Sequence, residues 1–142
     1  GSGNGKDKGA LEKLTTSGKL VIGTSADFPP YEFHKEIDGK DTIVGFDISL
    51  AQAIADELGL ELEIKDMDFE GLLTALNAGT VNMVVAGMNP TAERAKEVDF
   101  TKIYYTAEQT VLVKAEDKDK YTSAASLAGL KIAAQKGTIQ AD

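Results

Sequence analysis

The residues best suited to chemistry lie between positions 86 and 94, Ala86-Gly87-Met88-Asn89-Pro90-Thr91-Ala92-Glu93-Arg94. A guanidinium grips a carboxylate through two parallel hydrogen bonds, glycine lets a ligand come close to the backbone, and the amides that open a helix attract negative charge. Thr91 has the type and spacing to cap a short helix that carries Arg94 in its first turn. The stretch therefore predicts an anion site whose ligand bears a carboxylate. A second reading stays open at this level, in which Arg94 pairs with Glu97 or Asp99 on the surface and Gly87 only serves a turn. Two further places offer aromatic and polar groups: Thr24-Ser25-Ala26-Asp27-Phe28-Pro29-Pro30-Tyr31, and Phe69. Phe28 and Tyr31 read equally as ligand-facing aromatics and as core or lid packing.

These residues need elements to hold them. Met83-Val84-Val85 and Lys19-Leu20-Val21-Ile22-Gly23 are continuous apolar runs of the kind found in parallel strands covered on both faces. Ligands of such sheets gather at the carboxyl ends of the strands. Leu60, Leu62 and Ile64 alternate with Glu61, Glu63 and Lys65, which predicts a further strand near an edge. Phe69 follows it, so three loops are expected to meet at one end of the sheet. The clearest helix spans 48–58, with Asp47 as N-cap, Gly59 as stop, and Ala51, Ile54, Ala55 and Leu58 on one face. Asp68 is placed to cap another helix in which Leu72, Leu73 and Leu76 form the apolar face before Gly79. A short helix over 10–17 closes at Gly18, and Asp38-Gly39 predicts a hairpin turn inside the polar stretch 32–42. His34, in that stretch, reads as a solvated loop histidine. The order of elements gives an α/β class.

Composition narrows the partners. The 142 residues carry a formal net charge of -8, which argues against nucleic acid or an anionic membrane surface as the main target. There are no cysteines and one histidine, so neither a thiolate nor a histidine-based metal site is expected, and no cofactor is called for. No apolar run approaches the roughly 20 residues of a membrane helix. Residues 1–9 lack any apolar side chain and read as a flexible tether or tag. Past Tyr104-Tyr105, the alternation around Val111 and Val113 suits an extended segment over 108–115, and the charged run 116–120 reads as a turn or hinge. A short helix over 123–127, a strand over 131–134 and the opening of another helix at Gln135-Lys136-Gly137-Thr138 follow. The glycine spacing of a phosphate loop is missing there.

Several of these stretches resemble the landmarks of the polar amino-acid-binding proteins of ABC transporters, solute-binding protein family 3, in that family's order. They are Gly45-Phe46-Asp47-Ile48-Ser49-Leu50-Ala51-Gln52-Ala53-Ile54-Ala55, Phe28-Pro29-Pro30-Tyr31-Glu32-Phe33, Met67-Asp68-Phe69, Ala86-Gly87, Thr91-Ala92-Glu93-Arg94, Asp99-Phe100-Thr101, Tyr104-Tyr105 and Gln135-Lys136-Gly137-Thr138. Ser49 departs from the family's usual second acidic residue. The resemblance implies a type II periplasmic-binding-protein-like lobe, a mostly parallel sheet flanked by helices, with the second lobe incomplete. It implies a tether at 1–9, lobe 1 over 10–107, a crossing strand and hinge over 108–118 and the beginning of lobe 2 over 119–142.

For the site, the resemblance implies that Arg94 clamps the ligand α-carboxylate with help from Asn89 and the backbone around Ala86 and Thr91, and that Gly87 offers its carbonyl to the α-ammonium. Phe28 and Phe69 would sandwich the ligand side chain, while from lobe 2 Thr138 would donate to the carboxylate and Gln135 would reach the side chain. Ser25 stands where several members carry an aspartate that reads the ligand, a role open to Asp27. The implied function is an extracellular receptor, periplasmic or tethered as a Gram-positive lipoprotein, that binds a polar amino acid of the arginine, lysine or glutamine class and delivers it to a transporter permease. A cyclohexadienyl-dehydratase-like enzyme and a ligand-sensing module use the same scaffold; no acid in this sequence is clearly placed for the former. The apolar face begun at 131–142 lacks a cover in this sequence. The expectation is a fragment that binds weakly by itself, completed by a larger protein or by a strand- or domain-swapped dimer.

Overall fold

The computed structural model describes residues 6–142, and side chains from residue 9 onward. The chain divides into two compact units, Gly1–Asp99 and Phe100–Asp142. In the first, helix α1 (Lys6–Ser17) ends at Gly18, which takes the left-handed φ of 76° that the stop requires. Residues 6–9 are thus helical where a flexible lead was expected, and the remainder of that lead lies outside the described residues.

The central sheet is parallel, in the order β5-β1-β6, where β1 is Lys19–Thr24, β5 is Glu61–Asp66 and β6 is Met83–Val84. Its register pairs Leu20 with Leu62 and Ile22 with both Ile64 and Met83. The alternating strand β5 lies at the edge, as its wet face demanded. Successive side chains of β1 point to opposite faces. Leu20 and Ile22 join Ile48, Ala51, Ala55, Leu60 and Val85 in the buried core, so helix α2 (Phe46–Leu58) covers one face. On the other, a Cβ at Gly23 would touch Leu72 Cδ2 at 3.2 Å and Val81 Cγ1 at 3.5 Å, which puts helix α3 (Leu72–Asn77) there. Both faces are covered, which is why β1 is apolar from Leu20 to Ile22.

The hairpin expected around Asp38-Gly39 is formed, and a short third strand extends it into a second, antiparallel sheet. Strands β2 (Asp27–Phe28), β3 (Glu32–Ile37) and β4 (Lys40–Val44) run in the order β2-β3-β4. Asp38 and Gly39 both hold positive φ, 51° and 75°, as a two-residue hairpin turn of matching twist requires. The hairpin buries little surface, so its turn residues rather than a hydrophobic pattern made it readable.

The second unit contains single 3-10 turns at Ala115–Asp117 and Ala124–Leu127 and no strand among the described residues. The strands expected over 108–115 and 131–134 are not formed, and the helix expected at Gln135 is a turn. Alternation prepares a surface for a sheet, but the ladder needs a neighbouring strand to bond to. At 123 the sequence reading holds: Ser123 Oγ accepts the amide of Ser126, and the Ser126 hydroxyl accepts the amide of Ser123 in return.

Candidate functional site

The parallel strands of the first unit deliver their following loops to one end of the sheet. The Met67 amide donates to the Thr24 carbonyl at 3.0 Å, and the Ala26 amide to Asp66 Oδ1 at 2.8 Å, so the loops after β1 and β5 are tied together. The loop after β6 joins them through its side chains. The Phe28 ring lies over Gly87, where an added Cβ would come within 3.2 Å of Phe28 Cε1. Gly87 also holds a φ of 54°, so both the contact and the backbone favour glycine. Phe28 stacks on Tyr31 with ring centroids 5.0 Å apart.

Arg94 is held at two points. Its Nη1 donates to the Asn89 carbonyl at 3.0 Å, and its guanidinium carbon stands 5.4 Å from the centroid of the Phe69 ring. A cation over an aromatic face is favourable, and this one links the loop after β6 to the start of the segment leading into α3. Thr91 Oγ1 accepts the Arg94 amide at 3.3 Å, a capping contact as expected. The element capped is a single 3-10 turn, Arg94–Lys96, rather than a helix. With so few aligned peptide units it supplies little dipole, and anion binding falls to the guanidinium itself.

Ser25 is buried, and its hydroxyl donates to Asp27 Oδ1 at 3.2 Å, so the two residues weighed for the same task act as one hydrogen-bonded group. Ala86 is buried behind Gly87, and Asn89 is exposed. Phe28 therefore lies on Gly87 and Arg94 on Asn89 and Phe69, two contacts joined through the loop 87–94, with Thr91 capping the turn of Arg94 and Ser25 and Asp27 on the loop after β1. Gln135 and Thr138 belong to the second unit, where Thr138 Oγ1 donates to the Gln135 carbonyl at 2.6 Å. A concavity of about 660 Å³ beside α3, lined by Asp68, Glu70, Thr74 and Thr80 among others, includes none of the residues expected at the site.

Three acidic or basic residues behave differently from their sequence reading. Asp47 is not a helix cap: the N-cap is Gly45, without a side-chain bond, and the fully buried Asp47 carboxylate accepts the Gly87 amide at 2.7 Å. Asp68 likewise makes no side-chain cap for the 3-10 turn Phe69–Gly71 that precedes α3. His34 is exposed, as expected, but stands on strand β3 rather than in a loop, and it is paired. Its Nδ1 lies 2.8 Å from Asp41 Oδ2 and its Nε2 3.0 Å from Asp66 Oδ2, so hydrogen bonds to Asp66 and then Asp41 raise its pKa above 6.5. Burial pushes Asp66 upward, but the Ala26 amide and His34 outweigh it and leave its carboxyl below the ordinary 3.8. Glu32 is buried, and desolvation first, then a hydrogen bond to Asp47 and the charges of Asp47 and Asp27, push it up to about 9. Sequence reasoning passed over both Glu32 and the true role of Asp47. The signal was there: each acid sits between apolar residues, in Tyr31-Glu32-Phe33 and Phe46-Asp47-Ile48.

With this geometry in hand, similarity to known proteins is informative. Residues 20–141 match the family described as bacterial extracellular solute-binding proteins, family 3. The arginine-binding extracellular protein ArtP of Bacillus subtilis is 44% identical over 122 residues, which are 86% of this chain and 46% of ArtP. An amino acid ABC transporter substrate-binding protein from Streptococcus pneumoniae, solved bound to L-arginine, is 46% identical and superimposes with a TM-score of 0.81 over 83% of this chain and 49% of that one. The arginine-bound form of domain 1 from TmArgBP is 45% identical with a TM-score of 0.62, covering 66% of this chain and 71% of that structure. The chain thus spans about half the length of ArtP. A parallel sheet with a covered β1, a glycine-arginine loop after β6 and a family match over nearly the whole sequence agree, and the chain belongs to the bacterial extracellular solute-binding proteins, family 3.

Proposed function

We propose that this chain carries the ligand-binding lobe of an amino-acid receptor that serves an ABC importer outside the cytoplasm, and that it acts by binding without turnover. The observation that carries the reading is the Arg94 guanidinium, fixed by the Asn89 carbonyl and laid on Phe69, in the same loop as a Gly87 covered by Phe28. Arg94 offers a ligand carboxylate two parallel hydrogen bonds, and the Gly87 carbonyl can accept from the ammonium beside it. Phe28 and Phe69 present flat apolar faces to a ligand side chain. The arginine-binding relative ArtP and the arginine-bound Streptococcus structure favour arginine over lysine or glutamine as ligand. Ser25 and Asp27 supply the polar end that reads the side chain.

The second unit belongs to a closing lobe in this reading, with the hinge over 108–118 and with Gln135 and Thr138 as donors to the bound amino acid. Ligand would bias closure because only the closed form satisfies both of its ends. Domain 1 of TmArgBP has an arginine-bound form, which supports binding by one lobe alone. The 142-residue chain is therefore expected to bind arginine by itself, contrary to the weak binding that a half-built shell suggested.

Calorimetric titration with L-arginine, L-lysine, L-glutamine, L-glutamate and L-histidine tests this, with mass measured in the same buffer to detect exchange of segments between two copies. Arginine should bind most tightly, and Arg94→Ala should weaken it by about 2–5 kcal/mol, at least thirtyfold. Equal affinity for all five, or an Arg94→Ala variant that binds as the parent does, would refute the assignment.

A further inference from the structure

Glu32 comes from a strand and Asp47 from a helix, yet the two meet in the interior, where Asp47 reaches the binding loop. Glu32 opens β3 and is 1% exposed; Asp47 lies in the first turn of α2 and is 0% exposed. The backbone locks their meeting in place: the Phe46 and Asp47 amides donate to the Pro30 and Tyr31 carbonyls at 3.0 and 2.9 Å. Gly45 permits this approach, since any Cβ there would stand 2.1 Å from the Tyr31 carbonyl oxygen. From this buried meeting point Asp47 Oδ2 reaches out to the Gly87 amide at 2.7 Å.

We propose that Glu32 and Asp47 form a buried carboxyl pair that sets the position of the Gly87 amide, and through it the orientation of the ligand-binding loop 86–94. Both are positioning residues, and neither contacts the ligand. Two carboxylates cannot share a dry site while both are charged. Glu32 therefore keeps its proton and donates it to Asp47, whose remaining acceptor capacity holds the Gly87 N–H in an ion-assisted hydrogen bond. The Glu32 Oε2 atom has no hydrogen-bond partner among the described residues, so a charge there would be left uncompensated. The charged groups facing Glu32 are Asp47 from α2 and Asp27 from β2, both acidic, and both oppose its ionisation. Loss of the proton places two negative charges under the loop and breaks the donor link. The loop is consequently locked at neutral pH and released as pH climbs through about 9.

The affinity part of this rests on the amino-acid-binding reading above, so the test has two readouts. Hydrogen exchange of the Gly87 amide, followed by NMR in the 142-residue chain without ligand, reads the lock directly. Asp47→Ala should cut Gly87 protection at least tenfold while the β1 amides of Leu20 and Ile22 keep theirs, and should weaken L-arginine binding at least tenfold. Glu32→Gln keeps a neutral donor toward Asp47. It should hold Gly87 protection and arginine affinity within threefold of the parent at pH 7 and, in the ligand-free chain, abolish the parent's loss of Gly87 protection between pH 8 and 10 beyond the base-catalysed rise common to all amides. Affinity is compared at pH 7 only, because the ligand's own ammonium titrates in the alkaline window. If Asp47→Ala does not fold, the alkaline comparison of Glu32→Gln with the parent still decides. Unchanged Gly87 exchange in Asp47→Ala, or an alkaline loss in Glu32→Gln equal to the parent's, overturns the proposal. Absence of arginine binding in the parent would refute the receptor reading and leave the exchange measurement to judge the pair.

Discussion

The two units of this chain share a composition of alternating apolar and charged stretches but differ in what those stretches have to pack against. Up to Asp99, each apolar run meets another: β1 lies between β5 and β6, with α2 on one face and Leu72 and Val81 on the other. From Phe100 onward the described side chains include no buried residue, and Leu112 is 98% exposed, Ile103 70% and Ile132 59%. The difference teaches that a hydrophobic pattern is a demand for a partner, and only where the partner is present does it become structure. Burial contributes about 25 cal/mol per Å² of apolar surface removed from water, and an exposed alternating segment collects almost none of it.

Mutation can break this contrast most forcefully in the core of the first unit. Leu20→Ala or Leu72→Ala, each removing a fully buried side chain, should lower unfolding free energy by about 2–5 kcal/mol in urea titrations. Effects below 1 kcal/mol at both positions would mean that the sheet is not the stable element. Gly45→Ala should cost about 2 kcal/mol or more, because a φ of 137° and a backbone oxygen 2.1 Å away leave a side chain no room. Stability at the parent's level in that variant would contradict the docking of β3 on the start of α2.

A milder perturbation is titration of His34. Its folded pKa is raised above 6.5 by Asp66 and Asp41, so its contribution is complete below pH 6.5 and disappears as pH rises through the raised value. Asp66, held below 3.8, contributes above that value and loses its share as pH falls through the folded one. Stability of the parent should therefore exceed that of His34→Gln most near pH 5–6, and the two curves should converge at alkaline pH; parallel curves from pH 5 to 9 would show that the bridge contributes nothing. The smallest effect belongs to the second unit, where Leu112→Ala should change unfolding free energy by less than about 0.5 kcal/mol. A loss as large as that of Leu20→Ala would erase the distinction between the units.

What could be read in advance follows the same division. The runs around Val21 and Val84 were readable as parallel strands because strands buried on both faces leave an unbroken apolar signal, and the one around Leu62 as an edge strand because it alternates. Gly18, Gly39 and Gly59 marked real turns, since each takes a left-handed backbone. Arg94, Gly87, Phe28 and Phe69 were legible as neighbours because all lie at carboxyl ends of parallel strands. Asp47 was misread because a local rule, the acidic residue at a helix start, competes with a distant partner that no local pattern reveals: Gly87 is 40 residues away. His34 and Glu32 escaped for the same reason, as their partners lie on other strands and helices. The extended segments over 108–115 and 131–134 were overcalled because alternation cannot say whether a neighbouring strand exists.

His34 is the only histidine of the chain, and both of its ring nitrogens are held by carboxylates at 2.8 and 3.0 Å. As an imidazolium it donates from both nitrogens, so both ring N–H protons are engaged in hydrogen bonds to carboxylates even though the side chain is exposed. The far-downfield region of a proton NMR spectrum should therefore hold imidazole signals from one residue that need no assignment experiment. Because Asp41 lies on β4 and Asp66 on β5, those signals register in real time whether the hairpin stays fastened to the edge of the parallel sheet. The fold carries its own label at the seam between its two sheets.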